Sequence, residues 1–263
     1  MMTLTEMRSE ARKSLAGKWG KAAILMLVYA LITSVISFVL GLIPFVGSII
    51  QLVINLPITY GFLVCMIKLK RGEEVSYTEF LNNGFGSFKK VWIVLGNTIL
   101  KLIVPICLVV VFTILLYVGG FGAVAGTAAN SNGAATGFGA LGIIGLIGSI
   151  VAYIWVTIKG LLYALSQYIL YDNPDMSGKE IVEESERLMK GNRVRYFFLP
   201  FTFIGWIILA GFTFGIGALW LTPYMMVTTV VFYESLAGNK GTTEKVVEAK
   251  VEEPKSEEET PAE

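Results

Sequence analysis

The sequence contains no histidine, and only 2 of its 263 residues are cysteine. Without imidazole, histidine metal sites, histidine acid/base pairs and histidine-containing triads are unavailable. Cys65 and Cys107 each lie inside a long apolar run, where they read as small packing side chains and imply no disulfide framework. Charge is missing just as selectively. Residues 22 to 67 carry none, residues 91 to 171 carry only Lys101 and Lys159, and residues 196 to 233 again carry none. That pattern argues against a soluble fold, in which helices apolar on every side occur singly rather than in succession. It also argues against a transmembrane β-barrel, whose strands would be short and alternating. The net charge of +1 conceals this segregation, and no basic stripe with interleaved aromatics marks a nucleic-acid surface.

What is present are apolar runs of membrane length. A spanning helix needs about 20 predominantly apolar residues, so each of the two uncharged blocks holds two and the middle block another two. The expected spans are 22–43, 47–67, 92–118, 141–170, 196–214 and 216–236. The fold class is therefore all-α, a polytopic membrane bundle of about six transmembrane helices in three hairpins. Cations gather on one side of these spans: Arg8 to Lys21 before the first, Lys68 to Lys90 after the second, Lys179 to Arg195 after the fourth, and Lys240 to Lys255 in the tail. The alternate connections, near 44–46, 119–140 and 214–216, have no Lys or Arg. Because cationic loops stay on the cytoplasmic side during insertion, both termini are expected there.

Three regions follow. Residues 1–21 form a cytoplasmic or interfacial segment in which Leu4, Met7, Ala11, Leu15 and Trp19 recur at helical spacing, the pattern of an amphipathic helix on the inner leaflet. Residues 22–237 are the membrane domain. Residues 238–263 are rich in Glu, Lys, Pro and Thr and read as a disordered acidic tail, because they hold too little apolar surface to offset ordering. The first apolar stretch outruns a signal-peptide core and reads as a retained span. The glycine-rich connection 119–140 reads as a flexible outer loop, though it exceeds ordinary loop length.

Between the fourth and fifth spans, Ser177 and Glu180 have capping-box spacing. Ile181, Val182, Leu188 and Met189 share a face, and Glu183 with Arg187 and Glu186 with Lys190 stand four apart on the other. Gly191 and Asn192 supply a stop. A short interfacial helix is expected here. On the fourth span, Gly142, Gly145, Gly148 and Ala152 form a small-residue stripe that admits another backbone.

Several of these residues fall in a recognisable order. Tyr168-Ile169-Leu170-Tyr171-Asp172-Asn173-Pro174, Ser185, Leu188 to Asn192, Gly205-Trp206, Gly215, Gly217, Pro223-Tyr224 and Phe232-Tyr233 resemble an uncharacterised bacterial integral-membrane family, a domain of unknown function. Tyr60-Gly61, Arg71-Gly72-Glu73 and Gly84-Phe85 extend the match, which runs from about residue 5 to 237. That family looks distantly similar to the membrane domain attached to some glycerophosphodiester phosphodiesterases. The resemblance implies a multi-span bacterial inner-membrane protein with Asp172, Pro174, Ser185, Gly191, Gly205, Trp206, Gly215, Gly217, Pro223 and Tyr224 in structural roles, and no established activity. Where the family leads one to expect a Pro-Gly pair, the chain has Val156-Thr157-Ile158, which removes that hinge.

Lys101 and Lys159 are the sharpest functional lead, since no carboxylate lies in any span to pair with them. On one reading they share a depth and, with Lys190, Arg193 and Arg195 at the mouth, form a pocket for an anion or lipid headgroup. On the other they mark the inner interface and snorkel to headgroups. The expected function is a non-catalytic module that packs membrane lipids, a membrane-protein partner or a second copy, without cofactor or nucleic acid. The alternative is a transporter or flippase of an anionic amphiphile through a cytoplasm-facing cavity. An enzyme would lack its usual acid and base.

Overall fold

Uncharged sequence can satisfy its backbone in lipid only by internal hydrogen bonding, and helices result. The computed structural model describes residues 2–43 and 45–251, with side chains through Gly238, and has no strand among the described residues. Its helices are α1 (Leu4–Ser14), α2 (Trp19–Gly41), α3 (Val46–Arg71), α4 (Glu79–Gly86), α5 (Phe88–Ala128), α6 (Asn132–Gly160), α7 (Ser166–Asp172), α8 (Gly178–Met189), α9 (Arg193–Phe198), α10 (Ile204–Phe212) and α11 (Ala218–Val251). Short 3-10 turns at Leu161–Tyr163 and Pro200–Phe203 join α6 to α7 and α9 to α10. Among the described residues five segments are long and apolar enough to cross a membrane: Trp19–Gly41, Val46–Arg71, Phe88–Ala128, Asn132–Asp172 and Arg193–Phe212.

The buried core lies at one end of these segments. It joins Met7, Ala11 and Leu15 of α1, Ala22 and Leu25 of α2, the second half of α3, Phe80 of α4, Val91 and Val94 of α5, α7, α8, Phe203 and residues 224–236 of α11. Two expectations change here. The apolar stripe of α1 faces this core rather than lipid, with Met7, Ala11 and Leu15 fully buried. The last expected span coincides with α11, where Tyr224, Val227, Val230 and Phe232 are buried in the same core. The expected acidic tail lies outside the described residues beyond Val251, and outside the described side chains from residue 239.

Close backbone approach explains several glycines. A Cβ on Gly61 of α3 would stand 1.8 Å from the Phe80 carbonyl oxygen, and one on Gly84 of α4 would stand 2.4 Å from the Pro57 carbonyl oxygen. The two helices therefore cross with glycine on each side. The region 119–140 is not a loop but the distal part of an α5–α6 hairpin, turned at residues 129–131 with Asn130 at φ 53°. Its glycines form the contact. Built Cβ atoms on Gly119, Gly126 and Gly145 would stand 2.1 Å from Gly142 N, 2.6 Å from Ala135 N and 2.3 Å from Leu116 N. Glycine breaks isolated helices, but here the gained backbone contact offsets its low propensity.

The expected capping box of α8 is present, Ser177 Oγ accepting from Glu180 N and Glu180 from Ser177 N at 2.8 Å. α1 has the same device in Thr3 and Glu6. The ion pairs of α8 differ from the expected ones. Arg187 pairs with Glu184 at 2.8 Å, because Glu183 faces Lys179 at 4.0 Å and Lys101 of α5 at 3.6 Å. Gly191 ends the segment at φ 82°, a backbone that glycine adopts without Cβ strain. Cys65 is buried and Cys107 exposed, both free.

Candidate functional site

The charged ends of α3 and α7 meet Glu234 of α11 in one clasp. Arg71, the last residue of α3, donates from Nη1 and Nη2 to both carboxylate oxygens of Asp172, at 2.7 and 2.9 Å. Its Nε donates to Glu234 of α11 at 3.1 Å, and Lys70 also pairs with Glu234. The Tyr233 hydroxyl donates to Asp172 Oδ2 at 2.9 Å. Lys18 reaches the Leu69 carbonyl from before α2 at 3.0 Å. These side chains are only about a quarter exposed, and a fork-to-fork Arg–carboxylate pair has the geometry that makes such contacts strong. Beside it, Lys68 and the backbone N–H of Ser76 hold the Glu79 carboxyl below the usual carboxylate range.

The remaining motif residues have local tasks. Buried Ser185 donates to the Leu162 carbonyl at 2.8 Å and accepts from Leu165 N at 3.3 Å, tying α8 to the turn before α7. The Pro174 carbonyl accepts from Lys90 at 2.8 Å. Gly215, at φ 85°, lies in the turn between α10 and α11, and a Cβ on Gly217 would stand 3.0 Å from Ala210 Cα. Pro223 lies inside α11 and is buried. The Tyr224 hydroxyl donates to the Arg8 carbonyl at 3.1 Å, and Trp206 is half-exposed. Nothing comes within 4 Å of a Cβ placed on Gly205, so no close contact requires glycine there.

Of the five cations singled out in the sequence, one lines a described groove. Lys101 faces Glu183, Lys159 is exposed on α6, Lys190 is exposed at the end of α8, and Arg195 donates to the Met2 carbonyl. Arg193 is the exception. It lines a groove of about 650 Å³ between α6 and α9, together with Tyr153, Ile154, Thr157, Phe197 and Phe198. No carboxylate contributes to that lining. Such a groove offers a long apolar surface ending at one guanidinium. The α5–α6 register adds one relation: Gly119 lies against Gly142, Leu116 against Gly145 and Phe112 against Gly148. Carried down the antiparallel pair, this register sets Lys101 level with Lys159.

Glu183 as the partner of Lys101, and the Arg71 clasp, were not foreseen. Arg71 and Asp172 are 101 residues apart; each closes an apolar run and lies in a family-like motif, but neither feature pairs them. Among the described residues no cluster of Cys, Asp and Glu could hold a metal ion.

A helical chain with five apolar segments of membrane-crossing length among its described residues, and an ionic clasp joining the ends of some of them, is compatible with the class of membrane proteins. More particularly, the chain belongs to the family described as Protein of unknown function (DUF975), whose sequence model matches residues 1–240. No curated protein and no solved structure matches the chain.

Proposed function

We propose that the chain is a multi-pass protein of a bacterial inner membrane, with both termini cytoplasmic, acting without catalysis as a module that holds anionic phospholipid against the α6–α9 groove. The observation that carries this is Arg193, the one charged side chain lining a groove that is otherwise apolar and aromatic apart from Thr157. A resident phospholipid would lay an acyl chain along Tyr153, Ile154 and Phe197 and set its phosphate on the guanidinium.

Lengths support the placement. From Lys101 to the end of α5 at Ala128 the helix rises about 40 Å, and α6 from Asn132 to Lys159 matches it. A bilayer measures about 30 Å across its hydrocarbon and about 40–45 Å with headgroups. Lys101 and Lys159 then stand at the inner headgroups and the 129–131 turn at the outer ones. Lys101 next to Glu183 of the polar helix α8 fits this level. The clasp brings the starts or ends of α2, α3, α7 and the Glu234 turn of α11 together, which favours an even number of crossings.

The third expected hairpin is shallower in this reading. Trp19, the first residue of α2, packs against Tyr224 at 5.7 Å between ring centroids. Beyond that level α2 rises about 34 Å, but α10 only about 14 Å. The α10–α11 tip, with exposed Phe212, Phe214 and Ile216, would enter one leaflet.

Native mass spectrometry tests the lipid site. Protein extracted from membranes containing phosphatidylglycerol should retain it, and Arg193→Gln should lower the number of phosphatidylglycerol molecules retained per chain while leaving neutral lipid unchanged. Equal retention by both proteins would overturn the site.

A further inference from the structure

A second cleft lies at the junction of α1, α2, α10 and α11, lined by Arg12, Trp19, Trp206, Ala210, Trp220 and Tyr224 among others. Its volume is about 370 Å³, within the roughly 300–1,000 Å³ range of small-molecule sites. Three of the five tryptophans of the sequence converge on it. Its walls are apolar, its only charged lining residue is Arg12, and among the described residues no carboxylate lies within ion-pair distance of that guanidinium.

We propose that this cleft is a binding site for an anionic phospholipid of the inner leaflet, with the phosphate on Arg12 and an acyl chain between Trp206 and Trp220. Three features select that occupant. Tryptophan and tyrosine side chains favour the headgroup boundary, where an apolar ring face meets a polar rim. An unpaired guanidinium there attracts anionic lipid and binds phosphate through several donors. The walls of the cleft are fixed by local contacts. Gly217 packs on Ala210 across the hairpin, Thr213 Oγ1 accepts from Gly217 N at 2.9 Å, and Tyr224 is fixed edge-on between Trp19 and Phe203. The site rests on the membrane placement above but is separate from the Arg193 groove.

The tryptophans supply the probe. In the full chain carrying Trp92→Phe and Trp155→Phe, the remaining fluorescence comes from Trp19, Trp206 and Trp220. The protein is reconstituted in phosphatidylcholine vesicles with increasing amounts of acyl-brominated phosphatidylglycerol or acyl-brominated phosphatidylcholine. The anionic lipid should reach half-maximal quenching at a several-fold lower mole fraction than the neutral one. Arg12→Gln should bring the two curves together, Arg12→Lys should retain part of the difference, and Arg193→Gln should leave it intact. Coincident curves in the parent protein, or a preference that survives Arg12→Gln, would overturn the proposal. Absence of quenching by either lipid would instead remove the membrane placement on which both sites stand.

Discussion

Replacing Gly145 with alanine tests how the α5–α6 hairpin is held. The added carbon would lie 2.3 Å from Leu116 N and 2.6 Å from Leu116 Cα, whereas ordinary contact begins near 3.4 Å. The opposing atoms are backbone and cannot swing aside, so the helices must separate by about 1 Å. Overpacking of this kind costs about 1–3 kcal/mol. Alanine also removes the flexibility of glycine, which returns about 0.5–1 kcal/mol in a helix. Gly139 isolates that second effect. It lies on the same helix with nothing within 4 Å of a built Cβ, so Gly139→Ala should be neutral or stabilising by about 0.5–1 kcal/mol. Unfolding in mixed micelles of mild detergent and dodecyl sulfate, followed through Trp155 on α6, gives the comparison. Gly145→Ala should lower the midpoint and Gly139→Ala should not. If both substitutions move it alike, close backbone approach is not what joins the pair.

Other substitutions probe the core end. Ser185→Ala should cost about 1–3 kcal/mol in detergent thermal unfolding, because the Leu162 carbonyl and Leu165 N–H are left buried without their partner. Arg71→Ala should destabilise more than Tyr233→Phe, which removes a single hydrogen bond worth about 1 kcal/mol, and equal losses would refute the guanidinium as the centre of the clasp. Ser177→Ala should cost about 1 kcal/mol by uncapping α8, with an unchanged midpoint as the refuting result. The lowered Glu79 carboxyl gives a signed pH dependence. Its contribution is present above the ordinary value of 4.5 and is lost as pH falls through the lowered one, so Glu79→Gln should flatten the acid limb of the stability profile.

The apolar segments were legible because lipid constrains composition directly: charge-free runs of that length seldom occur outside a bilayer. The α8 cap was legible for a local reason, since Ser177 and Glu180 need only each other. Gly119, Gly122 and Gly126 were misread as loop because glycine serves turns and close helix packing equally well, and only a facing partner distinguishes them. The clue was the matching stripe on Gly142, Gly145 and Gly148. The α1 stripe gave the correct buried face but not its neighbour, because periodicity shows that a face is covered and not by what. Arg71, Asp172 and Glu234 meet through three distant segments, and no local pattern announces such a meeting. The same holds for the cleft, whose Arg12 and Trp220 lie near opposite ends of the described chain.

The position of the core sets the order in which the molecule can be completed during synthesis. The α5–α6 pair finds its partner within a single hairpin and can be finished as soon as it leaves the ribosome. Met7, Ala11 and Leu15 are made well before Tyr224 to Phe232, with which they share the core. Until translation reaches α11, α1 has α3 to pack against but lacks its larger partner, and a nascent chain halted before Tyr224 would carry a finished α5–α6 hairpin with its core still open.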